Sequence, residues 1–384
     1  MTNYRTFLMA VFIGITGLLQ AQPISYAAID RHALKAPAQL HQNLPALVDY
    51  LIKEATSDTE KARAIYAWIT HHIQYDEAAA RQDKRINRFL ADILSRKKGI
   101  CFDYALLFQA MCQHAGISCQ VISGYGRTNL EAYAFPESPN HAWNAVRLDG
   151  EWHLLDATWG SIKGQDAWMI QYNSSYFLSP PELFVLNHLP NMPMWQLQAC
   201  PITPAAFKEA VADIKMLKDS CYNYRDSIYH FLKMPLQTQK YLEAQSTYTI
   251  FQSEANKRNW SHTMLDQAAA LSDVADSLKA VADPGLTVLY QVQAEALAWC
   301  QKALVLNTTL QPWQEELYIG LLLDQAVTCW MQANQDEQWE GQKLENARDL
   351  LTQAQNRALA LPEDRYYRAY ALEKCQSYLE ILKE

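Results

Sequence analysis

Cys101, His141 and Asp156 are the side chains in this sequence whose types and spacing suggest chemistry. Cys101 lies in Gly99-Ile100-Cys101-Phe102-Asp103-Tyr104-Ala105, just after the basic run Ser95-Arg96-Lys97-Lys98. Gly99 breaks regular structure. Ala105, Leu106, Phe108, Ala110 and Met111 then wrap one apolar helical face. The thiol is therefore expected at a helix start, where unpaired backbone N–H groups favour nearby negative charge. A lone cysteine is as readily an inert core residue, so its role depends on what the chain brings beside it.

Those partners are expected on a hairpin. Residues 141–148 read as a strand, Asp149-Gly150 as a tight turn, and residues 151–157 as the returning strand. A symmetric turn sets Leu148 against Glu151 and Arg147 against Trp152. The same ladder, continued, sets Trp143 against Asp156 and His141 against Thr158. Opposed residues share a face, so His141, Trp143 and Asp156 project together, with His141 and Asp156 as diagonal neighbours. A slip of one residue would separate them. A thiol, an imidazole and a carboxylate in this order have the logic of a thiol triad. Cys101 would attack an acyl carbon. His141 would take its proton and return one to the leaving group. Asp156 would hold the imidazole tautomer.

Other residues near these positions have two readings each. Trp143 and Trp159 are candidates for a site wall or substrate groove, with plain core packing as the blander reading. Asp103 either tunes the cysteine helix or is an ordinary first-turn acid. Asp76 is an alternative polar partner for the site. His153 falls on the face opposite His141 and reads as structural, and His71 and His72 read as surface residues. Arg96, Lys97 and Lys98 read as a solvated loop rather than a steering patch for an acidic substrate.

The elements that must position these residues fit a chain of 384 residues with 49% hydrophobic and 19% charged content, which predicts two or three domains with a sizeable core. A net charge of −8 disfavours nucleic acid as a partner, since phosphate binding needs a clustered basic surface. Arg5 followed by the short apolar run Phe7–Leu19 reads as an export signal over residues 1–21. The expected location is periplasmic or secreted, with no membrane span after cleavage. None of the eight cysteines forms a CxxC or a zinc spacing, so neither a metal nor a cofactor is expected. Cys200 with Cys221 is a conceivable disulfide.

A strong helix is expected from Asp58, with Ala62, Ile65, Tyr66, Trp68 and Ile69 on its apolar side. A strand follows over Ile117–Ser123, punctuated by Gly124-Tyr125-Gly126, and another over Tyr172–Leu178. From Ala205 onward glycine almost vanishes and helical periodicity dominates. Five or six helices are expected there, with breaks near Pro235, Asp283–Gly285, Thr308–Pro312, Asn334–Glu337 and Leu361–Glu363.

The stretches Gly99–Ala105, His141-Ala-Trp143 and Trp152–Trp159 resemble the nucleophile, His and Asp motifs of the transglutaminase-like superfamily. Gly116-Ile117 and Gly124-Tyr125 resemble its next landmark. Arg63–Ile69 and Ile73–Asp76 are similar to the lead-in helix of its bacterial exported members. The resemblance covers about residues 26–200. It implies a papain-like α+β fold over 22–204, with an antiparallel sheet packed on the cysteine helix, followed by an α-helical domain over 205–384. It also implies a Cys-His-Asp site working on acyl groups, in a family of cross-linking enzymes, peptidases, amidases and catalytically silent domains. The Cys101 backbone N–H is one oxyanion donor; the second is unassigned. The function expected is an exported thiol enzyme that cleaves or transfers an acyl group from a peptide or isopeptide amide of a protein substrate. The alternative is a non-enzymatic scaffold whose residues 205–384 dock a partner protein.

Overall fold

The computed structural model describes residues 26–81, 89–128, 134–161, 174–209, 221–281, 285–307, 309–335 and 340–383. The expected export signal lies outside them. Three helices open the chain: α1 (Ala27–Leu34), α2 (Leu44–Leu51) and α3 (Asp58–His72). Ser57 caps α3 by accepting the Glu60 N–H at 3.2 Å, and the Glu60 carboxylate reaches back to the Thr56 N–H at 2.7 Å. These contacts satisfy donors that a helix start leaves unpaired. Ala62, Ile65, Tyr66, Trp68 and Ile69 are fully buried, as the periodicity predicts.

The chain then makes β1 (Gln74–Tyr75), α4 (Glu77–Arg81), α5 (Leu90–Arg96), β2 (Lys98–Gly99) and α6 (Cys101–His114). β1 and β2 pair in parallel, with Tyr75 opposite Gly99. The main sheet comprises β3 (Cys119–Gly126), β4 (His141–Leu148), β5 (Glu151–Leu155) and β6 (His188–Pro190), with α7 (Ala157–Gly160) and α8 (Pro181–Phe184) between the last two strands. Its order is β5-β4-β3-β6, antiparallel throughout. One face, carrying Cys119, Val146 and Leu148, shares a core with α3 and α6. The other, carrying Ile122, Trp143, Ala145 and Leu154, packs on Phe184, Met194 and Trp195.

The hairpin register is the expected one, Leu148 on Glu151 and Arg147 on Trp152. Asp149 and Gly150 both have positive φ, as a tight primed turn requires. The ladder ends at Asn144 on Leu155, three residues short of the expected pair of His141 with Thr158. Asp156 leaves it because its carboxylate caps α7 instead. The pairings of Trp143 with Asp156 and of His141 with Thr158 therefore do not form. The strand expected over Tyr172–Leu178 differs too: residues 172–173 lie outside the described set, and Ser174–Tyr176 form a 3₁₀ turn. The Tyr176 carbonyl accepts the Asp156 N–H at 2.9 Å, and Ser179 makes a single antiparallel bridge to Leu154, so this segment runs beside the end of β5 without the described part of Tyr172–Leu178 forming a strand.

Eight helices follow among the described residues: α9 (Pro204–Glu209), α10 (Tyr224–Lys233), α11 (Leu236–Ile250), α12 (Glu254–Lys279), α13 (Leu286–Leu306), α14 (Pro312–Ala333), α15 (Glu340–Ala360) and α16 (Tyr366–Ile381). The expected breaks occur. Two more fall, one between α9 and α10 and one at residues 251–253, where Ser253 caps α12 through the Asn256 N–H at 3.0 Å, so the five or six helices expected become eight. The later helices share their own core around Leu265, Ile319, Leu322 and Leu351. α10, by contrast, packs Ile228 and Phe231 with Trp143 and Ile122 of the sheet. No described helix is long and apolar enough to cross a membrane.

Candidate functional site

Cys101 is the first residue of α6. The start of that helix is tied down twice. Asp103 accepts the Ile100 N–H at 2.8 Å, and Tyr104 donates its hydroxyl to the Ile73 carbonyl at 2.6 Å. Gly99 has to be small here, because a Cβ on it would sit 2.6 Å from the Asp103 Cβ. Asp103 is buried and turned back onto the helix start. Cys101 is half-buried, whereas Cys112, Cys119, Cys300, Cys329 and Cys375 are buried. Among the described residues it is thus the one free thiol that solvent reaches. Cys200 and Cys221 form a disulfide, the pair the sequence suggests.

His141 opens β4 at the end of the sheet and bonds to Asp156, Nε2 to Oδ2, at 2.7 Å. Both groups are buried, and Cys101 is near enough to this imidazole to favour its charged form. Nδ1 is the ring nitrogen that Asp156 leaves over. Burial opposes a charged His141, but the carboxylate and the Cys101 side chain outweigh it and push its pKa up to about 10. Asp156 moves the other way: burial favours its neutral form, yet His141 and His188 hold it well below the usual carboxylate range.

His188 carries no signal in its own stretch of sequence. It stands on β6, and its Nε2 lies 3.1 Å from Asp156 Oδ2. Register explains the meeting. Gly124 opposes His141, and Gly126 opposes His188. The two glycines lie two residues apart and so share a face of the middle strand. A Cβ on Gly126 would come within 2.9 Å of the His141 Cβ. With that face bare, imidazoles from strands on either side of β3 approach to 5.3 Å between ring centroids. The Gly124-Tyr125-Gly126 pattern was the available clue. Burial pushes His188 down to about 4, against the smaller raising effect of Asp156.

Aromatic rings surround these groups. Trp159, half-buried, stacks on His141 at 4.8 Å. Trp143 is 1% exposed and lies edge-on to His188 at 5.0 Å, so it forms a floor beneath the cluster rather than an open wall. Tyr75, 44% exposed on β1, stands near Cys101; burial, and then the Cys101 and Asp156 charges, push its phenol up to about 12. Phe102, 47% exposed, follows the cysteine. Asp76 accepts the Ala79 N–H at 3.1 Å and approaches Arg96 at 3.6 Å, and its own N–H bonds the Gly99 carbonyl at 2.9 Å just before the α6 start. His71 and His72, expected at the surface, are half-buried, and His72 stacks on Trp68.

His141, Asp156 and His188 offer three metal-type donor atoms within 4.8 Å of one another. Each imidazole nitrogen, however, is at hydrogen-bond distance from the same carboxylate oxygen. The donors satisfy each other directly, and the carboxylate between them is fully buried.

Comparison with known proteins agrees with this architecture. Residues 45–157 match the family model described as the transglutaminase-like superfamily. That part of the chain is a transglutaminase-like core, of the α+β papain-like kind, with a helical region after it. The chain is 37% identical over 199 residues to the kyphoscoliosis peptidase of Mus musculus, covering 50% of this chain and 30% of that protein. It is 41% identical over 179 residues to the protein of the same name from Homo sapiens, covering 45% and 26%. To Hillarin of Drosophila melanogaster it is 29% identical over 210 residues, covering 50% and 25%. The chain thus spans less than a third of the length of these relatives.

Proposed function

We propose that this protein is an exported thiol enzyme that cleaves or transfers the acyl group of a peptide or isopeptide amide. The observation that carries the reading is His141: Asp156 bonds one side of its ring, and Cys101 at the α6 start is near enough to favour the charged ring. The chemistry follows from these positions. The Cys101 proton passes to His141, and the sulfur attacks the amide carbon, forming a C–S bond. The oxyanion accepts the Cys101 backbone N–H, one of the unpaired donors of a helix start. His141 then gives its proton to the leaving nitrogen as the C–N bond breaks. Water or an amine attacks the acyl carbon and loses a proton to His141; the C–S bond then breaks, the acid or new amide leaves, and the sulfur takes that proton back.

The name of the kyphoscoliosis peptidases fits hydrolysis of a peptide bond. Export rests on Arg5 and the apolar run after it, and the Cys200–Cys221 disulfide suits an oxidising compartment. Loss of residues 1–21 from the intact mass of the exported protein checks that point. The enzymatic reading is tested by treating the folded protein with a peptide chloromethyl ketone and mapping the adduct by mass spectrometry. The expected adduct is on Cys101 and is lost in His141→Ala. A folded wild-type protein that gains no adduct on Cys101 refutes the reading.

A further inference from the structure

The Asp156 carboxylate has every acceptor position filled. Oδ1 takes the N–H groups of Thr158 at 2.7 Å and Trp159 at 3.1 Å, and Oδ2 takes His141 at 2.7 Å and His188 at 3.1 Å. Three of these four contacts have a clear role: two cap α7, and one orients His141. The fourth does not. His188 is fully buried at its side chain. Its ring is clamped by Phe184, stacked at 3.9 Å, and by Trp159 at 4.3 Å and Trp143 at 5.0 Å. Its other nitrogen, Nδ1, lies 2.6 Å from Asn187 Oδ1.

We infer that His188 is a positioning residue of this site, a second imidazole that fixes the Asp156 carboxylate beneath His141 and shares its Oδ2. The inference deepens the thiol-enzyme reading and rests on it. A carboxylate held only by its Oδ1 contacts and His141 can swing about the axis of the cap. The His188 N–H closes that freedom on the oxygen that faces His141. It does so without a second charge, since a histidine buried among aromatic rings is neutral at pH 7. A neutral ring has one N–H, and an ionised carboxylate can only accept, so that proton is on Nε2. Nδ1 then accepts from the Asn187 amide, whose oxygen and nitrogen are interchangeable in placement. Turning the amide so puts its oxygen where Nδ2 stands, 3.5 Å from the Tyr176 hydroxyl. Because Oδ2 serves two donors, its bond to His141 is weaker than a lone bond would be. The titratable groups facing His141 are Asp156, His188 and Cys101, and the Asp156 charge in turn raises Tyr75, Tyr104 and Tyr176 from further out.

The test reads the low-field proton resonance of the His141 Nε2–H in full-length protein with 15N-labelled histidine, at pH 7. His188→Phe fills the aromatic box but donates nothing. His188→Asn stays polar but is too short to reach Oδ2. His188→Gln keeps an N–H at a similar reach. The resonance is expected to move downfield in the Phe and Asn variants and to return towards the wild-type position in the Gln variant. Modification of Cys101 by the chloromethyl ketone is expected to slow by roughly ten- to a hundredfold in Phe and Asn and to recover in Gln. A histidine that only fills space would leave the resonance where it is. Folded Phe or Asn protein with an unmoved resonance overturns the inference. The resonance reports on Asp156 whether or not Cys101 reacts, so wild-type protein without an adduct counts against the enzymatic reading alone.

Discussion

Asp156→Asn separates what the carboxylate does for the fold from what it does for His141. His141 stands at about 10 against an ordinary 6.5, an interval worth roughly 5 kcal/mol to the charged imidazole. Burial works against that charge, so Asp156 and Cys101 supply all of the rise. The amide keeps the shape of the acid, and its oxygen still accepts the Thr158 and Trp159 N–H groups. The cap, worth about 1 kcal/mol, therefore survives. The change falls at the other end, where an NH2 group now donates toward both imidazoles. Nε2 of each ring must become an acceptor, and each ring proton moves to Nδ1. His188 tolerates the exchange, because the Asn187 amide lies 2.6 Å from its Nδ1 and offers oxygen as well as nitrogen. His141 does not, because the nitrogen left to accept the thiol proton is now protonated. The expected result is a urea midpoint near that of the wild type, with alkylation of Cys101 by iodoacetamide at pH 7 slowed by about a hundredfold or more. An unchanged alkylation rate in a protein with an unchanged midpoint would refute the reasoning.

Gly124→Ala should destabilise the sheet, since the new Cβ would lie 2.2 Å from the Leu189 carbonyl oxygen and 2.8 Å from the Pro190 Cα, both main-chain atoms of β6. A loss of about 1–3 kcal/mol in urea unfolding is expected, and an unshifted midpoint would show that β6 yields freely. The two histidines also set opposite pH slopes. The folded value of His188 is near 4, below its ordinary 6.5, so the unfolded chain binds more protons between them and stability falls as pH drops through that window. The folded value of His141 is near 10, so its contribution is complete below about 6.5 and is lost as pH rises through about 10. Asp156 adds stability above the ordinary carboxylate range that is lost only as pH falls through its depressed folded value. Stability should peak near pH 6.5; a denaturation midpoint that climbs steadily from pH 6.5 to 9 would contradict the assignment for His141.

The parts of this structure legible in the sequence are those fixed by local physics. Gly99 before an apolar helical period located the start of α6. Asp149-Gly150 set the hairpin register, because few residue pairs take two positive φ values. Where two local preferences compete, sequence reading chose wrongly. Asp156 could continue the strand or cap the next helix, and Asp156-Ala157-Thr158-Trp159 caps. The contact between Asp156 and His141 forms all the same, from a helix start rather than a ladder rung. Phe251–Ser253 divides two helices at a serine cap that the overall helical composition hides. The meeting of α10 with Trp143 is tertiary packing between segments distant in sequence, and nothing in the sequence around Ile228 or Phe231 names that partner.

His188 was the least legible residue of the site, and its chemistry is the reverse of His141 although both bond one oxygen. The difference follows from what lies on the far side of each ring. Two imidazolium ions sharing one carboxylate would repel at 5.3 Å between ring centroids, so only one ring carries the proton. His141 has the shorter bond, 2.7 against 3.1 Å, and the Cys101 side chain as a further partner favouring its charge. His188 has Phe184 stacked on it and the Asn187 amide at Nδ1, none of which offers a negative charge. The proton therefore resides on the ring that faces the thiol, while the other ring supplies a neutral N–H to the same carboxylate. Moving the charge to His188 would need an acid in place of Asn187, and Asn187→Asp is the substitution that would set the two imidazoles in competition for one proton.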